Sequence, residues 1–329
     1  MLQNEVLSPI IPSYIQQNVS LADKNWFKTG GAARFYATPH TADEFKQALL
    51  YARDNNLEIF ILGQGANILI SDDGFNGLVI KPHINTITIL AHENNDHNNN
   101  TIFVKADAGV TMPHLIDYCL DNNIIGLEEF SGIPGTVGGS VYINLHYFNF
   151  LLADFVISAE IIHKKNGTIH TVDAQWFNFG YDDSKLQKQD YFLLSATFKL
   201  TRASSEQTAF AQGRKTEIIR HRAHRYPQAF TCGSFFRNFL PEEVSLEINN
   251  KKIIFVAYYL DKIGVKGTLQ IGDALVSHQH ANMIINTGNA TSADIIAVAR
   301  EMQKLVQTQY NILPQPECQL VGFKDYPLF

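Results

Sequence analysis

Two glycine runs sit where bulky apolar segments adjoin them: Leu62-Gly63-Gln64-Gly65-Ala66-Asn67-Ile68 and Ser131-Gly132-Ile133-Pro134-Gly135-Thr136-Val137-Gly138-Gly139. Glycine permits positive φ and close approach, so successive N–H groups can converge on a pyrophosphate with no side chain in the way. Taken singly, each run is equally well a tight turn, because glycine punctuates loops everywhere. Neither is a nucleotide fingerprint by itself. The first lacks G-x-G-x-x-G, with Ile68 and Leu69 following Asn67, and the second lacks the Lys-Ser/Thr ending of a P-loop. A Rossmann domain is therefore disfavoured.

A third cluster is basic: Arg220, Arg222 and Arg225, with His221 and His224 between them. If the segment is helical, Arg222 and Arg225 stand three apart on one face and could meet an anionic substrate together. A solvated basic face is the equal alternative. No carboxylate or cysteine completes a ligand set around the histidines, so no metal is expected. Cys119, Cys232 and Cys318 are odd in number and lack CxxC spacing, which points to neither a disulfide framework nor a zinc site and fits a reducing cytoplasm.

The elements that would position these groups follow from periodicity. Phe35 to Thr38, Glu58 to Leu62 and Leu78 to Lys81 read as short strands. Thr41 to Asn55 reads as a helix with Phe45, Ala48, Leu49 and Ala52 on one face. The tract 93 to 100, ENNDHNNN, is too polar to pack and is expected to be an exposed insertion. Thr101 to Ala106 then reads as a strand, Met112 to Asn122 as a helix, and Asp154 to Leu200 as several strands broken by the turn Asn166-Gly167. The small, polar stretch 201 to 213 is the best candidate boundary, placing a cut near 205. Beyond it, Thr291 and Asp294 form a capping pattern ahead of a helix with Ile295, Val298, Ala299, Met302, Leu305 and Val306 at helical spacing.

The chain's 329 residues, with 45% hydrophobic and 18% charged, suit two or three globular units. A net charge of −6 with dispersed basic residues argues against nucleic acid or an anionic membrane as main partner. No stretch approaches a membrane span, and the N-terminus has no export signal. A cytoplasmic protein acting on a small molecule, monomeric or weakly oligomeric, is expected.

The glycine runs occur among further motifs: Asn25-Trp26-Phe27 with Gly30-Gly31, C-G-S-F-F-R-N, G-V-K-G, H-A-N-M-I-I-N and Pro316-Glu317. Together and in this order they resemble the UDP-N-acetylenolpyruvoylglucosamine reductase family across roughly residues 20 to 323. The resemblance implies an α+β chain: a two-subdomain FAD-binding fold of the vanillyl-alcohol-oxidase (PCMH) type over residues 1 to 205, with subdomains of about 20–82 and 83–205, then an α+β substrate-binding domain over 206 to 329. It implies FAD and NADPH as cofactors, and reduction of UDP-N-acetylglucosamine enolpyruvate to UDP-N-acetylmuramate in peptidoglycan synthesis. FAD would be held by Gly63, Gln64, Gly65, Ala66, Asn67 and Ile68 in the first run, and by Gly132, Ile133, Pro134, Gly135, Thr136, Gly138 and Gly139 in the second. By the same resemblance Ser234 donates a proton, Glu317 polarises the substrate carboxylate, and Tyr181, Arg222, Asn238 and Lys266 bind substrate. A Glu317 raised by burial and kept protonated would avoid setting two anions side by side.

Three departures stand out. Where the family carries Y-R-x-S, this chain has Tyr181-Asp182-Asp183-Ser184, so Asp182 occupies the place of an arginine that helps hold the substrate carboxylate. Gln319 replaces a basic residue, and Asn144-Leu145-His146-Tyr147-Phe148-Asn149 replaces a small, glycine-bearing segment beside the flavin. Compensation by the basic cluster or Lys266 is one expectation. A flavoprotein of the same fold with another substrate, and an impaired flavin or nucleotide-sugar binder, are the alternatives.

Overall fold

A computed structural model describes residues 11–90, 100–188, 190–228 and 230–329; the polar insertion expected at 93 to 100 lies outside them except for its last residue. In the N-terminal unit the strands run in the order Ile15–Ser20, Ala32–Ala37, Phe75–Ile80, Ile59–Ile61, antiparallel at the first pair and parallel at the next two. Helix α1 (Ala42–Asp54) starts where Thr41 accepts a hydrogen bond from the Glu44 N–H, satisfying one orphan donor of the first turn. Phe45, Ala48, Leu49 and Ala52 are fully buried, as their spacing requires. They pack with Ile162, Phe192 and Leu194 of the next unit, so this helix glues the two together.

The second unit is a sheet ordered Ile169–Asp173, Val156–His163, Tyr191–Arg202, Thr101–Asp107, Ile87–Leu90. Its central strand, Tyr191–Arg202, is buried over most of its length, which fits an apolar run without alternation. Helices α2 (Met112–Asp121), α3 (Val137–Tyr142) and α4 (Ser205–Arg225) belong to this unit. The stretch 201 to 213 is not a linker. It is the end of the central strand and the first turns of α4, entered through a capping box between Ser204 and Gln207. Ala211 and Ile218 of α4 join the core of residues 102 to 200. A helix with so narrow an apolar stripe is as polar in composition as a linker, which is why composition placed the boundary one helix too early. The division proposed from packing falls near 226.

The C-terminal core runs from Cys232 to Leu328 and also takes in Phe27 and Leu69 from the N-terminal unit. Strands Gln270–Ile271, Ala274–Val276 and Ile284–Asn286 form its sheet, packed by α5 (Val256–Ile263) and α6 (Ser292–Tyr310). The expected Thr291–Asp294 capping box opens α6. The chain then returns: Gln319–Val321 pairs in parallel with Ile68–Ile70, directly after the first glycine run. Among the described residues no helix is long and apolar enough to cross a membrane.

Candidate active site

Both glycine runs line one cleft of about 790 Å³ between the three units, within the range of about 300–1,000 Å³ usual for ligand sites. Gly65 has φ +67°, and a Cβ there would lie 2.7 Å from the Asn25 Cα, so only glycine fits. The second run is pinned to the strand-to-helix turn before α2: the Gly138 N–H donates to Ala108 O at 2.9 Å and the Met112 N–H to Gly135 O at 2.9 Å. The runs face each other closely, since a Cβ on Gly63 would come within 2.8 Å of Thr136 Oγ1. Asn67 Oδ1 and Ser131 Oγ are buried without a protein partner. Bare backbone on two sides and the unpaired Asn67 oxygen on the cleft suit an extended polar ligand with diphosphate and ribose groups, and the fit to FAD is good.

Ser234 and Glu317 reach the cleft on neighbouring extended segments stitched by backbone. The Glu317 N–H donates to Phe235 O at 2.9 Å, the Arg237 N–H to Gln315 O at 3.0 Å, and the Phe235 N–H to Asn282 O at 2.8 Å. The Asn282 side chain completes the seam, accepting from the Phe236 N–H at 3.1 Å and donating to Phe236 O at 2.7 Å. The Gln319 N–H donates to Asn67 O at 3.1 Å, so one continuous register ties Ser234, Glu317 and the first glycine run. Burial first, then the negative charge of Asp182, pushes the Glu317 carboxyl up to about 8. It therefore holds its proton at neutral pH and can donate a hydrogen bond.

Tyr181, Asp182 and Asn238 also line the cleft. Asn238 Nδ2 donates to the Tyr181 hydroxyl at 3.3 Å. Desolvation, then Asp182, pushes that phenol up to about 12, so it stays neutral. Asp182 adopts φ +52°, and its Oδ1 lies 3.1 Å from His146 Nδ1. His146 belongs to the bulky segment expected to reshape the pocket. All four bulky residues line the cleft; Leu145 and Tyr147 also pack into the core of the second unit, whereas Phe148 is exposed.

The basic residues separate. Arg222 lines the cleft, donates from Nε to Gly132 O at 3.1 Å, and lies over the rings of Tyr226 and Tyr147 at 5.0 and 5.6 Å. Arg225, expected beside it, lies 5.6 Å over the Tyr226 ring and does not line the cleft. Lys266 does not line it either, its Nζ lying 3.8 Å from Asp261 Oδ1. Arg237, inside the serine motif, is held by both carboxylate oxygens of Glu243 at 2.7 and 2.9 Å. Two contributors were not singled out as site residues on sequence. His146 was read only as bulk, whereas its type beside an unexpected aspartate was the available signal. Asn282 lies within the quoted motif H-A-N-M-I-I-N, but its role of holding the backbone of Phe236, far from it in sequence, is not legible from the motif alone.

Residues 226–321 match the family model described as "UDP-N-acetylenolpyruvoylglucosamine reductase, C-terminal domain", and residues 33–173 match one described as "FAD binding domain". A UDP-N-acetylenolpyruvoylglucosamine reductase of Trichormus variabilis is 34% identical over 90% of this chain and 83% of its own. The reductase of Chlamydia muridarum is 32% identical over 95% of this chain and 96% of its own. Among solved structures, the UDP-N-acetylenolpyruvylglucosamine reductase of Thermus caldophilus superposes with a TM-score of 0.72 at 25% identity, covering 94% of this chain and 99% of that one.

Proposed function

The chain belongs to the UDP-N-acetylenolpyruvoylglucosamine reductase family, and from that premise we propose that it reduces UDP-N-acetylglucosamine enolpyruvate to UDP-N-acetylmuramate, with FAD bound and NADPH as reductant, in the cytoplasm during peptidoglycan synthesis. The observation that carries this reading is the single backbone register that sets Ser234, Glu317 and a glycine run on the same cleft.

The flavin, when bound, supplies hydride chemistry that no side chain can. Gly63 to Ile68 and Gly132 to Thr136, with Gly138 and Gly139, would hold it. What remains for the protein is to place the enolpyruvyl group, stabilise the enolate formed beside its carboxylate and protonate the adjacent carbon. Ser234 is the proton donor in this reading. A serine hydroxyl is a weak acid, so the role depends on a strongly basic enolate and on the fixed geometry of the Phe235–Glu317 seam. Glu317, protonated at neutral pH, donates to the substrate carboxylate and strengthens that bond as negative charge develops on it. Tyr181 and Asn238 act as neutral hydrogen-bonding groups. Arg222, desolvated between two tyrosines, offers its remaining guanidinium N–H groups to an anionic substrate group. Lys266 would join by leaving Asp261, and an exposed ion pair of that kind is worth little.

The test is product identification. Incubation with NADPH and the enolpyruvyl substrate should yield a UDP-sugar heavier by two hydrogens, by mass spectrometry, at the rate NADPH is consumed. NADPH consumption without that product would reject the substrate, and a lack of both would reduce the protein to a binder.

A further inference from the structure

The family arginine is replaced by an aspartate, yet the corner around Asp182 is not left without a basic group. Asp182 Oδ1 lies 3.1 Å from His146 Nδ1, with side chains only 17% and 27% exposed. Both residues line the cleft that holds Ser234, Glu317 and Asn238. The corner is held from several sides. Asn144 Nδ2 donates to Gly180 O at 2.8 Å and its Oδ1 accepts from the Ala153 N–H at 3.1 Å, tying the His146 segment to the Asp182 turn. Gln187 Nε2 donates to Asp182 O at 2.7 Å, and the Tyr181 ring stands 4.9 Å from the imidazole. Two of the departures from the family are thus one structural unit.

Among the described residues Asp182 forms an ion pair with no other cation. Arg237 is taken by Glu243, Lys266 lies off the cleft, and Arg222 holds the second glycine run. His146 Nε2 makes no hydrogen bond to the described residues.

We infer that His146, anchored through Nδ1 by Asp182, presents Nε2 to the carboxylate of the substrate and does the work of the missing arginine. Asp182 is the positioning residue: a carboxylate on one imidazole nitrogen fixes the ring, and a ring carrying both protons donates from the other nitrogen. Such a donor strengthens its hold as charge grows on the enolate. The inference rests on the proposed substrate, and it removes the need for the basic cluster or Lys266 to compensate.

The test uses the flavin-loaded protein, chemically reduced by stoichiometric dithionite under anaerobic conditions and then mixed with UDP-N-acetylglucosamine enolpyruvate. Reduction this way makes the readout independent of NADPH. His146→Ala should slow flavin reoxidation by about 10²-fold and weaken the substrate-induced change in the oxidised visible band. Asp182→Asn should slow it by about tenfold in the native background and add nothing in His146→Ala, as expected of groups acting as a unit. His146→Gln, which keeps the volume, serves if the alanine variant loses its flavin. Reoxidation at the native rate in His146→Ala or His146→Gln overturns the inference, as does an Asp182→Asn effect of equal size with and without His146. A native protein that substrate does not reoxidise means instead that the proposed function has failed.

Discussion

On one wall of the cleft Ser234 and Glu317 are set by backbone hydrogen bonds running from Asn282 through Phe235 to Glu317 and on to Asn67; at another corner His146 and Asp182 meet through their side chains. The first wall keeps the family's residue types, and the second has exchanged them. A seam made of main chain fixes side chains through register, so its chemistry resides in the few residues it aims. A side-chain pair can be replaced by another pair if both members change together. In the proposed function, the difference separates the part of the site that protonates the substrate from the part that holds its carboxylate.

The largest effect should come from the seam. Ser234→Ala removes the proposed proton donor and should lower turnover by about 10²–10⁴-fold while leaving flavin bound, measured as product formed per bound flavin. A residual rate within tenfold of native would mean another group supplies the proton. Asn282→Ala attacks the same seam without touching chemistry: it strips both Phe236 backbone groups of their partner. At about 1–3 kcal/mol for each buried group left unsatisfied, urea denaturation should show a loss of about 2–6 kcal/mol.

The corner should respond differently. Asp182→Arg restores the family's residue type but sets a cation against His146. It should reduce kcat/KM by about tenfold or more, since it removes the carboxylate that orients the imidazole. An increase would show that the pocket lacks a cation and that His146 does not provide one.

The smallest effect links the two sides, because Asp182 contributes to the shift at Glu317. The folded protein holds a proton there up to about 8, whereas an ordinary glutamate releases it near 4.5. Stability from this group is therefore full below about pH 4.5 and is lost as pH rises through about 8. Glu317→Gln should melt a few degrees above native in alkaline buffer and with native at low pH. Equal melting at both ends would mean that Glu317 titrates like a free carboxyl.

Much of the scaffold was legible in the sequence because it rests on periodic burial. Phe45, Ala48, Leu49 and Ala52 announced α1, and the Thr291 capping box announced α6. The glycine runs were legible as ligand-facing backbone, and they line the cleft. What could not be read were facts of three-dimensional pairing. The polar face of α4 hid its attachment through Ala211 and Ile218. Lys266 carried a motif yet turns to Asp261, and His146 looked like added bulk until the turn at Asp182 met it. Spacing along a chain reports which face a residue shares, not which distant side chain neutralises it.

The measurement that bears most directly on the whole account is an anaerobic visible spectrum of the purified protein, taken after NADPH and again after UDP-N-acetylglucosamine enolpyruvate. The account predicts a yellow protein bleached by NADPH and recoloured by the enolpyruvyl substrate. A protein that bleaches and stays bleached, or one that takes up no FAD, would contradict it.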